Sequence, residues 1–338
     1  VRILIAGLGA IGQRHARNLR ALYGGELELL ALRRRRLPHV VTESLQRDDS
    51  RNVETELEAT VFEDLDAALA ARPDGVFVCT PSSQHLEIAQ RAADAGCHLF
   101  VEKPVSHTLD GVERLRATVA SKGLIAVVGC QWRYHPCVRW LRDLLQAGTL
   151  GRLVRAEIHY AENLPDWHPY EDYRSSYAAR AELGGGVVLT QIHDYDLAWW
   201  LFGPCRRVAA IGGRWSQLDI DVEDTVDAHL VGDAVTVRVR QSFASRPRRR
   251  TVGITGEHGT VVADLLDGRI TTDSAAVPAV AFADYPRNEM FMDAARNFQA
   301  CMAGRARPDV PLDDGIAVLR VALAVKEAIR TGIPVDIA

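Results

Sequence analysis

The chain has 338 residues, 47% of them hydrophobic and 25% charged. That profile fits a soluble globular protein long enough for two domains, and it excludes disordered, collagenous and coiled-coil classes. A net charge of −4 offers no positive field to nucleic acid or an anionic membrane. No uncharged apolar run reaches the roughly 18 residues of a bilayer span.

Arg2 to Ala6 is a short apolar run ending at a glycine and predicts a buried strand. It lacks a basic leader and a small-residue cleavage site, so a secretory signal is not the reading. Ala10 to Tyr23 predicts a helix with Ile11, Leu19 and Leu22 on one side, ended by Gly24-Gly25. Leu27 to Leu32 predicts a second strand, and residues 37–60 read as polar and irregular. A helix over 64–71, a strand over 75–79, a helix over 84–95 and a strand over 98–101 follow. A helix over 110–121 and a strand over 124–128 complete the pattern. Strands alternating with helices predict a doubly wound parallel sheet, hence an α/β fold of Rossmann type for this part.

Past residue 130 the rhythm changes. Strands are expected at 153–160, 208–211, 225–231, 235–243 and 251–255. Val235, Val237 and Val239 alternate with Thr236, Arg238 and Arg240, the period of a strand with one wet face. Glu257-His258-Gly259 predicts a hairpin turn. Helices return at 194–202, 288–302 and 314–331. The expectation is an α+β domain on a mostly antiparallel sheet. The division is residues 1–128 and 129–338. Arg246–Arg250 (RPRRR) reads as a solvated turn.

Six cysteines are present, at positions 79, 97, 130, 137, 205 and 301. No C-x-x-C pair or Cys/His cluster has zinc spacing, so no metal is expected. They read as reduced thiols of a cytoplasmic protein. Of 40 basic residues only Lys103, Lys122 and Lys326 are lysines, so a lysine at a special place carries weight.

Gly7-Leu8-Gly9-Ala10-Ile11-Gly12 is G-x-G-x-x-G between a strand and a helix, the context of a dinucleotide site. The first glycine permits the tight turn and the second a close approach of the backbone to a diphosphate. The third allows helix–strand packing, and the helix N-terminus faces the phosphates. The carboxylate expected about 20 residues further on is absent. Leu32 stands there, followed by Arg33-Arg34-Arg35-Arg36. Arginine cannot accept the ribose hydroxyl bonds but can pair with a 2′-phosphate, which favours NADP. NAD stays open, because an arginine also stacks on its adenine.

Thr80, Pro81 and His85 lie at the carboxyl end of a predicted strand, where ligands of such sheets bind. His85 by itself reads as an exposed helical residue. Glu102-Lys103-Pro104 follows the next strand. Lys103 could reach nicotinamide ribose and a substrate hydroxyl, although alone it reads as a surface lysine. In the second domain Gly184-Gly185-Gly186 precedes Thr190, His193 and Asp196. His193 and Asp196 share a helix face, so the carboxylate could hold the imidazole tautomer.

Taken together, G-x-G-x-x-G with His15 and Asn18, T-P-x-x-x-H, E-K-P, Gln131 to Pro136 and GGG…H-x-x-D occur in one order. This resembles the glucose–fructose oxidoreductase / inositol dehydrogenase / MocA family along nearly the whole chain. The resemblance implies a Rossmann domain, a sheet domain often used for oligomerisation, and NAD(P)-linked redox chemistry on sugars, amino sugars or cyclitols. It places Lys103 and His193 beside nicotinamide and substrate as the catalytic pair. Gly7, Gly9, Ala10, Ile11, Gly12, Arg33, Arg34, Thr80, Pro81, His85, Glu102 and Lys103 are assigned to the cofactor. Arg133, Trp167, Tyr173, Thr190 and His193 are assigned to a small sugar-like substrate. A dimer or tetramer of identical chains is expected.

One departure stands out. Many members carry an aspartate shortly before the histidine, where Leu189 and Thr190 stand here. A threonine hydroxyl can bind a substrate oxygen but is no base near neutral pH. Two other readings stay open: a reductase of a non-sugar imine or enone, and a cofactor-binding regulator without turnover.

Overall fold

The computed structural model describes residues 1–33, 39–42, 44–282 and 284–337. The chain divides into two compact units. The first holds Val1–Gly129, His168–Asp172 and Phe291–Ile316, and the second Cys130–Trp167, Tyr173–Met290 and Ala317–Ala338.

In the first unit the order is β1 (Arg2–Ala6), α1 (Ala10–Tyr23), β2 (Glu28–Leu32), a small hairpin of β3 (Val40–Val41) and β4 (Arg47–Asp48), α2 (Val53–Leu57) and β5 (Thr60–Phe62). Then come α3 (Leu65–Ala70), β6 (Gly75–Val78), α4 (His85–Asp94), β7 (His98–Val101), α5 (Val112–Ser121) and β8 (Ala126–Val128). Six strands form a parallel sheet in the order β5-β2-β1-β6-β7-β8. Ile3, Leu4, Ile5, Val76, Phe77 and Val78 are fully buried, as strands covered on both faces must be. The strand order reverses between β1 and β6, the switch point at whose carboxyl ends ligands of such sheets bind.

The described residues between 39 and 60 hold more structure than the sequence reading of 37–60 assigned them. Asn52 caps α2 by accepting from the backbone N–H groups of Glu54 (2.9 Å) and Thr55 (3.3 Å). Val53 and Leu57, four apart, are its buried anchors. β5 adds an edge strand beside β2.

The second unit contains α6 (Pro136–Gln146), β9 (Leu153–Asn163), α7 (Leu164–Trp167), α8 (Val187–Thr190), α9 (His193–Phe202), β10 (Cys205–Gly213), β11 (Thr225–Gly232) and β12 (Thr236–Ser242). It continues with β13 (Ala244–Gly256), β14 (Gly259–Asp264), β15 (Arg269–Thr272) and β16 (Val280–Ala281). Helices α10 (Glu289–Met302) and α11 (Leu312–Thr331) precede the last strand, β17 (Val335–Asp336). Nine strands run in the order β16-β15-β14-β13-β9-β12-β11-β10-β17, antiparallel except for the β9–β12 pair. Val237 and Val239 of β12 are buried while Arg238 and Arg240 are half-exposed, as their alternation predicts. The buried face packs on α6, α8 and α9. The opposite face carries Ile211, 67% exposed, together with Val231 and Val262.

Arg246–Arg250 is not a turn. It is the first half of β13, and Arg250 is only 4% exposed. Most of α10 and the start of α11 belong to the first unit. There the Phe298 ring meets Phe77 edge-on at 5.2 Å. The six cysteines are free thiols. Among the described residues no helix is long and apolar enough to cross a membrane.

Candidate active site

The glycine loop links β1 to α1, and each glycine has a separate physical reason. Gly7 has φ +98°, and a Cβ there would lie 2.9 Å from the Cys79 carbonyl oxygen. A Cβ on Gly12 would lie 1.9 Å from the Gly7 carbonyl oxygen, so helix and loop could not close. A Cβ on Gly9 would meet nothing within 4 Å. Packing inside the chain therefore does not require a glycine at 9, whereas a ligand resting on the backbone would. Gly9 is the N-cap of α1, no side chain caps the helix, and its first turn carries no acidic residue. Ala10 and Ile11 thus begin a helix whose N-terminal dipole is not answered by a carboxylate of its own first turn.

At the ends of β6 and β7 the residues form a buried polar knot. The His85 ring lies between two carbonyl oxygens, with Nδ1 2.7 Å from Pro104 and Nε2 2.7 Å from Thr80. It is 1% exposed, so it is not a surface residue. It braces the Thr80-Pro81 turn against the Lys103-Pro104 segment. Burial pushes its pKa down, against the pull of the two carbonyls. Glu102, also buried, accepts from His15 Nε2 at 2.8 Å and from the Lys103 backbone N–H at 3.2 Å. Burial opposes its charge, yet the His15 bond and the nearby Lys103 and His85 hold the carboxyl below its ordinary value.

At the end of β2 the expected phosphate contact changes. Arg33 is 4% exposed, and its guanidinium donates to Glu54 Oε1 at 2.6 Å. A buried guanidinium needs such a partner, and this pairing engages Arg33 within the first unit. Arg34 lies outside the described residues. Sequence reasoning missed Glu54 because it missed α2, although the Asn52 cap was a readable signal.

In the second unit His193 is the first residue of α9 and is 4% exposed. Its neighbours on the helix are firmly held. Arg133 donates to both oxygens of Asp196, from Nε at 3.0 and 3.1 Å and from Nη2 at 2.6 Å. Arg250 donates to Asp194 at 3.0 Å and to the Gln191 side chain at 2.6 Å. Its guanidinium lies 4.6 Å from the Trp132 ring centre and 4.7 Å from that of Tyr160. Gln241 donates to Asp194 and to the Gln191 carbonyl, both at 2.8 Å.

Several expectations change here. Arg133 is a structural partner of Asp196 and is only 3% exposed. Asp196 is engaged by Arg133 through both of its carboxylate oxygens. Thr190 is fully buried, and its hydroxyl donates to the Gly186 carbonyl at 2.7 Å, so it is a helix side chain satisfied by its own turn. Asp194, next to His193, is held by Arg250 and Gln241. Trp167 packs on Phe243 at 6.2 Å, and the Tyr173 hydroxyl accepts from the Asp219 N–H at 3.3 Å. Both rings are half-buried. Arg250 was hidden in a charge run, but it shares the strand parity of Val252 and Ile254, which could have marked it as inward-facing.

Two family models match the chain. The model described as "Oxidoreductase family, NAD-binding Rossmann fold" covers residues 1–130, and the "GFO/IDH/MocA C-terminal domain" covers residues 138–262. The chain belongs to the Gfo/Idh/MocA oxidoreductase family. It is 26% identical over 357 aligned residues to scyllo-inositol 2-dehydrogenase (NAD(+)) of Bacillus subtilis (strain 168), covering 100% of this chain and 96% of the relative. A crystal structure of the WlbA dehydrogenase from Bordetella pertussis with NADH and UDP-GlcNAcA has a TM-score of 0.81 at 22% identity, covering 100% of this chain and 99% of that one. A levoglucosan dehydrogenase complex with NADH has a TM-score of 0.83 at 18% identity, with the same coverage of both chains. At these identities the structural likeness speaks for the fold.

As a Gfo/Idh/MocA member the chain is an NAD-binding oxidoreductase, and its glycine loop fits that coenzyme. The empty space above Gly9 and the helix start behind it are what a diphosphate needs. Two substitutions separate fold from binding. Gly9→Ala is expected to melt within about 1 kcal/mol of wild type, as an unhindered methyl should, while NADH affinity falls at least about tenfold. Gly12→Ala is expected to lose stability and binding together. Thermal unfolding and fluorescence titration read the two effects. Equal behaviour of the two variants would contradict this division of roles.

Proposed function

We propose that this protein is an NAD(P)-dependent dehydrogenase or ketoreductase acting at a hydroxyl or keto carbon of a sugar, amino sugar or cyclitol. The observation that carries the reading is the open glycine cradle at the start of α1, placed where the strand order of a parallel sheet reverses. The polyol names of two relatives, scyllo-inositol 2-dehydrogenase and levoglucosan dehydrogenase, support the substrate class.

When bound, the nicotinamide coenzyme supplies the hydride acceptor or donor. Gly9, Ala10, Ile11 and Gly12 hold the diphosphate through backbone N–H groups and the helix dipole, while Gly7, whose own N–H donates to the Leu32 carbonyl at 3.1 Å, makes the turn. The Thr80-Pro81 turn and the Glu102-Lys103 segment, tied together by His85, line the nicotinamide ribose. Lys103 donates a hydrogen bond to the reacting substrate oxygen and stabilises negative charge developing there. His193 accepts the hydroxyl proton in oxidation and returns it in reduction. Trp167 and Tyr173 offer aromatic faces to a polyhydroxylated ring. With Arg33 paired to Glu54, preference for NADP is assigned to Arg34, so Arg34→Ala should weaken NADPH binding more than NADH binding. The six free thiols suit a cytoplasmic setting.

The open face of the second unit's sheet, with Ile211 and the 60%-exposed Trp215, is the proposed interface of a homo-oligomer. Light scattering is expected to give a dimer or tetramer, and Ile211→Asp should reduce its mass. A monomeric wild type would exclude this interface.

The reading is tested by following nicotinamide absorbance with sugars, amino sugars, nucleotide sugars and inositols against both coenzymes. Turnover of at least one polyol, lost in Lys103→Ala, is the expected result. Coenzyme binding without turnover of any candidate would favour a regulator, the reading to which the absent aspartate lends support.

A further inference from the structure

The His15–Glu102 pair takes no direct part in the chemistry above, yet it is among the most deliberately enclosed polar features of the first unit. His15 is 1% exposed and Glu102 is 6% exposed. The imidazole is fixed on three sides by aromatic rings, with centroids 5.3 Å away at Phe77, 5.0 Å at Phe100 and 6.1 Å at Phe291. The carboxylate has Gly129 at its back, where a Cβ would come within 3.0 Å of it. Burying a carboxylate is costly unless its donors are fixed, so the position of the imidazole dictates where the carboxylate lies.

That carboxylate has two ends with different partners. Oε1 takes the His15 Nε2 bond at 2.8 Å, and Oε2 takes the backbone N–H of Lys103 at 3.2 Å. His15 lies on α1, one turn past Gly12. One side chain therefore joins the helix that begins at the glycine loop to the backbone of the lysine at the end of β7.

We propose that His15 is a positioning residue which, through Glu102, sets the backbone of Lys103 in register with the glycine-loop helix, so that one coenzyme meets both. The inference rests on the reading of Lys103 as a coenzyme contact given above. His15 itself touches neither coenzyme nor substrate. Its work is to keep the ammonium of Lys103 at one place along the coenzyme. Any donor that reaches Glu102 Oε1 from position 15 should serve, and an apolar side chain of similar size should not.

The test is a double-mutant cycle on NADH affinity, which needs no knowledge of the substrate. Lys103→Met and His15→Leu are each expected to weaken NADH by about tenfold, and the double variant to be no weaker than the weaker single. His15→Gln, which presents an amide N–H in place of the imidazole Nε2–H, is expected to stay within about threefold of wild type. Thermal melts accompany each variant. If His15→Leu does not fold, the isosteric Glu102→Gln carries the same cycle. Losses that multiply to about a hundredfold, or a His15→Gln as weak as His15→Leu, would mean that His15 acts on the fold and not through Lys103, and would overturn the proposal. An unchanged affinity in Lys103→Met would instead remove Lys103 from the coenzyme, which defeats the functional reading and this inference with it. A folded wild type that takes up neither NADH nor NADPH would defeat the functional reading and this inference with it; if only NADPH binds, the same cycle is read on NADPH.

Discussion

Replacing His193 by alanine is expected to lower kcat by about 10²–10⁴-fold, the range for loss of a general acid–base, while NADH affinity stays within about twofold. The argument begins with placement. His193 opens α9, and both flanking carboxylates are fully buried and engaged by arginines. The helix turn that begins at the imidazole is therefore anchored through Asp194 and Asp196. Removing the ring leaves that scaffold intact, so the loss should fall on proton transfer and not on folding. Among the described residues, neither position that could hold the family aspartate offers a substitute base. Leu189 is apolar, and Thr190 spends its hydroxyl proton on Gly186. Steady-state kinetics with the polyol that turns over, together with NADH titration, measures both quantities. A fall in kcat smaller than tenfold would assign the proton to another group.

The second large effect concerns stability. Arg133→Met should destabilise the protein by about 3–5 kcal/mol, because it leaves the Asp196 carboxylate buried without its guanidinium. At about 2–4 °C per kcal/mol for a unit of this size class, the melting temperature should fall by roughly 10 °C. The same change in an Asp196→Leu background should cost far less, since an apolar pair carries no uncompensated charge. Arg133 also lies 5.8 Å from the Trp200 ring centre, so methionine preserves some of the packing that alanine would lose. Calorimetric melting of the two singles and the double gives the coupling. Additive losses would show that the ion pair is a bystander.

What could be read from the chain depended on how local the cause was. β1, the glycine loop and α1 were legible because each residue's reason lies within a few positions. Gly12 must clear the carbonyl of Gly7, and Ile3 to Ile5 must be apolar on both faces. The hairpin at Glu257-His258 and the alternating valines of β12 were legible for the same reason. Residues 37–60 were not. β5 is three residues long and exists only because β2 offers it a partner, and the Arg33–Glu54 pair depends on a short helix that brings position 54 beside position 33.

The site was legible in its chemistry but not in its supports. Lys103 and His193 stood out as residue types in motifs. Their supports come from distant parts of the chain, as when Arg250, four strands later, braces Asp194. An arginine inside RPRRR looks like solvated charge until β13 pairs with β9 and turns it inward. Likewise α10 joins the first unit through Phe291 and Phe298. That contact spans more than half the chain and leaves no local mark.

The most direct measurement is a calorimetric titration of the folded wild-type chain with NADH and with NADPH. The account predicts saturable binding of at least one of them at one site per chain, with the heat strongly reduced in Gly9→Ala. A folded wild type that takes up neither would contradict it.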